Sequence, residues 1–273
     1  MKTLYVTDLD GTLLRQNDRV SAYSARTING LTARGMLFTY ATARSAVSAA
    51  RVTEGLSTHI PVIAYNGCMI VRPAGGELLD FVSFSEEERR AITSVIQGAG
   101  LHPLVYAFLE GAERVSWMPR HENEGIRRYL RLRPGDPRLR TAADEAQLFA
   151  GEAFYYTCVG EREELLPVYE TLLHDGRFHV TLQRELYRPE FFCEVMPQAA
   201  TKANAVCKLK TLYGCDRVVS FGDAINDIPM FEASDECYAV ANAVPELRAR
   251  ADGVIGGNEE DGVARWLAEH AVF

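Results

Sequence analysis

This 273-residue chain lacks clustered cysteines, long apolar runs and an excess of positive charge. Its six cysteines (Cys68, Cys158, Cys193, Cys207, Cys215 and Cys237) are scattered with no C-x-x-C spacing, and several sit inside apolar runs. That pattern excludes a disulfide framework and predicts reduced, buried thiols. No stretch approaches the roughly 18 consecutive apolar residues of a membrane span. The first residues enter a strand-like run at once and meet Asp8, so no apolar leader is read and a cytoplasmic location is expected. With 29 Lys and Arg against 37 Asp and Glu, the net charge of −8 argues against wholesale binding to nucleic acid or to an anionic membrane. An acidic chain that binds anions must do so locally, with a few placed cations or a metal. Internal repeats, low-complexity tracts, a G-x-S-x-G elbow and a Walker A loop are all missing, and the six histidines show no metal-ligand spacing.

What remains is ordinary globular composition, 47% apolar and 24% charged, in a chain long enough to bury a core without staples. Leu4-Tyr5-Val6 reads as a buried strand ending at Asp8, Asp10 and Gly11. A helix over 24–34, a strand over 36–40, a helix over 45–55 and a strand over 61–65 follow. The alternation returns late, with a helix over 202–213, a strand over 218–221, a helix over 228–233, a strand over 237–241 and a helix over 262–270. Such alternation implies right-handed crossovers and a parallel sheet. The middle differs. A helix over 86–97 with Ser85 as N-cap precedes a hairpin of 104–108 with 114–117, then aromatic, β-branched runs at 154–159, 178–182 and 191–196 around a helix at 163–173. The expected architecture is an α/β fold: a doubly wound, Rossmann-like parallel sheet core of residues 1–82 and 197–273, with an inserted α+β domain of 83–196.

In such a sheet ligands bind beyond the carboxyl ends of the strands. Asp8-Leu9-Asp10-Gly11-Thr12-Leu13 belongs there, with Asp8 and Asp10 alternating on an extended chain and Gly11 allowing a sharp turn. The same residues also suit a simple Asx turn. The spacing excludes a calcium loop. Gly222-Asp223-Ala224-Ile225-Asn226-Asp227 follows another strand. Asp223 is placed to meet Asp8 around a hard cation, while Asp227 or Asn226 equally suits a helix N-cap. Thr42, before Ala43 and Arg44, offers a hydroxyl and backbone N–H groups to an anion, or an ordinary N-cap. Lys202 stands at a helix start, where the dipole disfavours a cation; an anionic ligand is one reason for it and a solvated side chain another. Asn66-Gly67 is a turn signal that also presents polar groups.

In order, Asp8-x-Asp10-Gly11-Thr12-Leu13, Thr42, Lys202 and Gly222-Asp223-x-x-Asn226-Asp227 resemble the four motifs of the haloacid dehalogenase superfamily. Thr42-Ala43-Arg44, Asn66-Gly67, and the tail from Ala241-Asn242-Ala243 to Glu260-Asp261-Gly262-Val263 are similar to the Cof-type sugar-phosphate phosphatases. Ala43 departs from the glycine common in that branch and removes no reacting group. The resemblance implies a phosphatase of small phosphomonoesters. Asp8 would be its nucleophile, forming an aspartyl-phosphate, and Asp10 its general acid and base. Mg²⁺ would be held by Asp8, Asp223 and the Asp10 carbonyl, with Asp227 behind them. Thr42 and Lys202 would bind phosphoryl oxygens, Asn226 would orient Asp8 or Lys202, and Arg44, Asn66 and Gly67 would add substrate contacts.

In position and size only, the insert resembles the cap of that branch, which would select the leaving group, with Trp117, His121 and Arg188 as its polar candidates, each also readable as a partly exposed side chain. The basic run of Arg127, Arg128, Arg131, Arg133, Arg138 and Arg140 reads as a solvated face, with Glu124 pairing to Arg128, in preference to a nucleic-acid patch. The competing functions are a phosphomutase on the same core and a non-enzymatic phospho-acceptor.

Overall fold

Leu4-Tyr5-Val6 and Val218–Phe221 are buried on both faces, and strands of that kind belong in a parallel sheet covered by helices. The computed structural model describes residues 1–73, 76–184 and 190–273. Two compact units emerge, Met1–Phe81 with Ala200–Phe273, and Val82–Ala199. The first opens with β1 (Thr3–Thr7), α1 (Ala22–Ala33), β2 (Leu37–Tyr40) and α2 (Ala46–Val52). Serine hydroxyls start both helices: Ser21 accepts from the Ser24 N–H and Ser45 from the Ser48 N–H, satisfying orphan donors of the first turns. The expected strand at 61–65 is shorter than its apolar run. Here β3 (Val62–Ala64) touches the parallel sheet at one bridge, Ala41 with Ile63, and then pairs antiparallel with β4 (Met69–Val71), which pairs with β5 (Leu78–Phe81). The cause is the turn Tyr65-Asn66-Gly67, where φ is positive at three successive residues (50°, 53° and 105°) and the chain folds back on itself.

The second unit holds α3 (Glu86–Gly98), β6 (Leu104–Leu109), β7 (Ala112–Trp117), α4 (Glu124–Arg131), β8 (Leu139–Thr141), α5 (Glu145–Leu148), β9 (Glu152–Gly160), α6 (Arg162–Asp175), β10 (Phe178–Arg184) and β11 (Phe191–Pro197). Its sheet runs β10-β11-β9-β6-β7-β8, antiparallel except for the β7–β8 pair. The hairpin β6–β7 closes over only Glu110-Gly111, so its strands extend further than the expected 104–108 and 114–117. Ile92 and Ile96 of α3 and Leu165, Val168 and Leu172 of α6 join Val105, Tyr156, Cys158, Cys193 and Val195 in one buried cluster. All six cysteines are thiols; Cys207 is exposed, against the expectation of burial, because it lies on the open side of its helix.

That helix, α7 (Lys202–Leu212), returns the chain to the first unit, followed by β12 (Arg217–Gly222), α8 (Ile228–Glu232), β13 (Glu236–Val240), α9 (Pro245–Arg248), β14 (Gly253–Ile255) and α10 (Gly262–His270). The five parallel strands are ordered β14-β13-β12-β1-β2. The chain leaves β1 towards β2 on one side and later fills β12 to β14 on the other. That reversal of order marks where a doubly wound sheet opens a crevice beyond its carboxyl ends.

Candidate active site

Thr7 lies level with Tyr40 on one side and Phe221 on the other, so β2, β1 and β12 end together. Asp8 prolongs the ladder by one residue, its N–H donating to the Phe221 carbonyl at 2.9 Å. The next residues, Leu9 to Leu13, form a wide turn closed by the Leu14 N–H on the Leu9 carbonyl at 2.8 Å. Gly11 makes this turn possible in two ways. Its φ is +74°, and a Cβ there would sit 2.3 Å from Asp223 Oδ2. Thr12 Oγ1 donates to the other Asp223 oxygen at 3.0 Å, which ties the two acidic loops together.

Asp227 precedes α8 but its side chain does not cap that helix, against the N-cap reading; it faces back into its own loop and across to Lys202. Its Oδ2 accepts the N–H groups of Asp223 and Ala224 at 3.0 and 3.2 Å, as a local cap, and its Oδ1 accepts from Lys202 Nζ at 2.7 Å. Lys202 Nζ also donates to Asp8 Oδ1 at 2.5 Å. The Lys202 side chain is 1% exposed, so it is no solvated lysine; two carboxylates hold a cation at a helix start that the dipole disfavours. One oxygen from each of Asp8, Asp223 and Asp227 falls within a mutual distance of 4.8 Å.

The crowding has electrostatic consequences. Burial raises the Asp8 carboxyl above its ordinary value, and Asp227 and Asp223 add to the rise while Lys202 opposes it. Burial, then Asp227, lifts Asp223 to about 6, with the Thr12 hydroxyl and Lys202 pulling the other way. Burial by itself lowers the Lys202 ammonium, but Asp227 and Asp8 more than offset it and hold the group charged. Three carboxylates around one ammonium leave excess negative charge among hard oxygen donors, which fits a divalent cation. Asp8 Oδ2 and Asp223 Oδ2 accept no hydrogen bond from the described residues, while both Asp227 oxygens are already used. Asp8 and Asp223 are thus the direct ligands on offer, and Asp227 orients what surrounds them.

Other expected residues are placed differently. The Asp10 carboxylate does not join the cluster. It lies half exposed against Arg44, whose Nε reaches its oxygens at 2.8 and 3.0 Å and whose Nη2 reaches Oδ1 at 2.5 Å. Arg44 also meets Asp18 at 3.2 Å, so its guanidinium is spent within the chain. The reason is the turn: Leu9 is already helical in φ and ψ, so the extended alternation that would have aligned Asp10 with Asp8 stops right after Asp8. Thr42 is fully buried and does not cap α2, which Ser45 does. Its Oγ1 accepts from the Arg44 N–H at 3.1 Å, and its carbonyl accepts from the Asn66 N–H at 2.9 Å. Asn226 aims its amide at Asn66 Oδ1, 3.4 Å away, and makes no hydrogen bond to Asp8 or Lys202. Gly67 is a point of close packing, where a Cβ would stand 2.2 Å from the Thr201 carbonyl oxygen. Thr12, the link between the acidic loops, carried no assigned role; its place one residue past the turn glycine was the available signal.

In the second unit, Trp117 Nε1 donates to Glu122 at 2.8 Å, and His121 stacks on His102 with centroids 3.5 Å apart. Arg188 lies outside the described residues. The arginine run is consumed internally, though not as expected: Glu124 meets Arg131 at 2.7 Å, while Arg128 turns to Glu190 at 2.6 Å because that carboxylate is the more buried of the two. Arg138 is buried against Asp136 and Glu113 at 2.6 and 2.8 Å.

Residues 5–267 match the profile of the haloacid dehalogenase-like hydrolase family. The chain is 23% identical to the 5-amino-6-(5-phospho-D-ribitylamino)uracil phosphatase YitU of Bacillus subtilis, over 98% of this chain and 97% of that one. Among solved structures it resembles TM0651 of Thermotoga maritima, with a TM-score of 0.82 at 25% identity over 100% of this chain and 99% of the other. It also shares its fold with the subclass IIB sugar phosphatase BT4131, with a TM-score of 0.74 at 21% identity over 98% of both chains. No helix among the described residues is long and apolar enough to cross a membrane.

Proposed function

Because the chain belongs to the haloacid dehalogenase-like hydrolases, in their Cof-type branch, and is a phosphatase, we propose that it hydrolyses small phosphomonoesters, sugar phosphates or similar metabolites, through an aspartyl-phosphate on Asp8 with Mg²⁺ as its cation. The observation that carries this reading is the constellation at the strand ends: Asp8 with one oxygen on Lys202 at 2.5 Å and the other open, and Asp223 and Asp227 within 4.8 Å. Mg²⁺ held by Asp8, Asp223 and the Asp10 carbonyl would supply charge that draws the phosphoryl oxygens and the nucleophile together.

The residues then divide the work. Lys202 favours the ionised form of Asp8 against the effect of burial, directs it, and offsets charge on the phosphoryl group as it transfers. An Asp8 oxygen attacks phosphorus while the bond to the leaving oxygen breaks, and Asp10 gives that oxygen a proton. Water then attacks the same phosphorus, Asp10 takes its proton, and the phosphorus–Asp8 bond breaks to release inorganic phosphate. Since Arg44 holds Asp10 away from the other carboxylates, this role requires Asp10 to exchange that contact for the leaving oxygen. Thr42, fixed at the end of β2, offers its hydroxyl to a phosphoryl oxygen. The Val82–Ala199 unit acts as the cap that selects the leaving group.

The test is a Mg²⁺-containing panel of phosphomonoesters, scored by kcat/KM and including a phosphorylated ribityl compound because of the relative that takes one. Acid-quenched enzyme should carry label from a ³²P-substrate, and Asp8→Asn should lose both label and turnover while keeping its fold. Activity within about tenfold of wild type, a loss under about 1.4 kcal/mol, would refute Asp8 as nucleophile. Sugar isomerisation without phosphate release would assign a mutase instead.

A further inference from the structure

The tail motif from Asn242 to Asp261 has no part in the chemistry above, yet it grips the nucleophile's loop at successive points. Asn242 Nδ2 donates to the Gly11 carbonyl at 2.7 Å. Its Oδ1 accepts from the Asn258 N–H at 3.0 Å. Asn258 Nδ2 donates to the Leu14 carbonyl at 2.8 Å, Glu259 accepts the Gln16 N–H at 2.6 Å, and Asp261 accepts from Arg15 at 2.6 Å and from Ser21 and Ser24 at 2.5 and 3.0 Å. The amide of Asn242 is oriented by this network. With Oδ1 engaged by a backbone donor, only the NH₂ group can face Gly11, and a flip would set two carbonyl oxygens against each other.

We infer that Asn242 is a positioning residue of the phosphatase site, holding the Gly11 carbonyl so that the turn Leu9–Leu13 keeps Asp8, the Asp10 carbonyl and Thr12 in register with Asp223, and that Asn258 holds Asn242 in the orientation this needs. The physical step is short. Gly11 is the residue with positive φ and without a side chain to steady it, so its two peptide planes are the softest in the loop. A trans peptide carries its C=O and the next N–H in opposite directions. Anchoring the Gly11 carbonyl on Asn242 therefore also fixes the direction of the Thr12 N–H and, through Thr12, the hydroxyl that holds Asp223 at 3.0 Å. Asn242 touches none of the reacting groups.

This rests on the phosphatase reading, and the experiment separates the two. Wild type, Asn242→Ala, Asn242→Ser and Asn258→Ala are compared by kcat and KM on p-nitrophenyl phosphate and a sugar phosphate, by calorimetric titration with Mg²⁺ alone, and by thermal unfolding. A positioning role predicts that Asn242→Ala loses about tenfold to a hundredfold in kcat on both substrates with KM within about threefold, and that Mg²⁺ binds about threefold to tenfold more weakly while unfolding scarcely shifts. Asn242→Ser, which keeps a shorter donor, should recover part of kcat. Wild-type kcat and wild-type Mg²⁺ affinity in Asn242→Ala would overturn the inference. So would a loss of kcat that follows the unfolded fraction alone, or Asn258→Ala being impaired while Asn242→Ala is not. Wild-type protein that binds Mg²⁺ but releases no phosphate from any ester would sink the functional reading, and the calorimetric arm would still decide the clamp.

Discussion

Gly67→Ala isolates the distance between two backbones that no catalytic side chain sets. A Cβ at Gly67 would lie 2.2 Å from the Thr201 carbonyl oxygen, 2.5 Å from its carbon and 3.0 Å from its nitrogen, and all three atoms are backbone. An ordinary contact with that oxygen needs about 1 Å more, and close-packed surroundings give by tenths of an ångström. The φ of +105° adds strain for any residue with a side chain. Strain of about 1–3 kcal/mol and overpacking of similar size give a stability loss of about 2–4 kcal/mol. The part that remains folded should be impaired too. Thr201 caps α7 and adjoins Lys202, whose Nζ reaches Asp8 and Asp227 at 2.5 and 2.7 Å, and a shift of about 1 Å breaks those contacts. Misplacement of that size costs about a hundredfold in rate. Steady-state kinetics on p-nitrophenyl phosphate and a sugar phosphate should therefore show kcat falling equally for both, with KM little changed, alongside a lower midpoint of thermal unfolding. If instead KM rises while kcat survives, Gly67 acts by touching substrate. If kcat/KM stays within about threefold of wild type, a change below 1 kcal/mol, the packing argument is wrong.

Lys202→Met keeps the length of the side chain and removes its charge, so every substrate should lose about a hundredfold or more in kcat/KM together; a reordering of substrates would show that Lys202 reads the leaving group. Exhaustive chelation should abolish phosphate release and Mg²⁺ should restore it, with Ca²⁺ a poor replacement because it takes more ligands at longer range; undiminished activity in chelator would end the metal role of Asp223. Arg138 holds the Asp136 carboxyl below its ordinary value, so this pair stabilises the fold above that ordinary value and the contribution disappears as pH falls through the lower, folded one. Asp136→Asn should cost about 2 kcal/mol near neutral pH and flatten the loss of stability below about pH 4; denaturant titrations with the same acid limb as wild type would contradict it.

The parallel core was legible because its signals are local. Runs such as Leu4-Tyr5-Val6 and Val218–Phe221 are almost wholly apolar, and Ser45 offers its hydroxyl to the first turn of α2, although the first helix starts at Ser21, three residues before the expected Ser24. Asp8, Asp223 and Lys202 were legible for a related reason: each follows or precedes an element whose end is marked in sequence, and parallel strands bring such ends to one edge. The short strands β4, β5, β8 and β14 escaped, since three or four residues carry too little periodicity to stand out.

Tertiary structure alone decided which groups spend their hydrogen bonds on each other. Asp8 and Asp10 look equivalent in sequence, yet the turn that begins at Leu9 sends one into a buried cluster and the other to Arg44, 34 positions away. Asn66 and Gly67 look like a loop that presents polar groups, but the approach of Thr201, over a hundred residues later in the chain, makes Gly67 a spacer. Asn242 stands out in sequence only as part of a tail motif with no role attached, until the fold sets it 2.7 Å from the Gly11 carbonyl, 231 positions distant. Periodicity and capping follow from neighbours along the chain, so residue types alone determine them. Pairings across such separations depend on ångström-scale distances between backbones, which exist only once the sheet and its loops have closed.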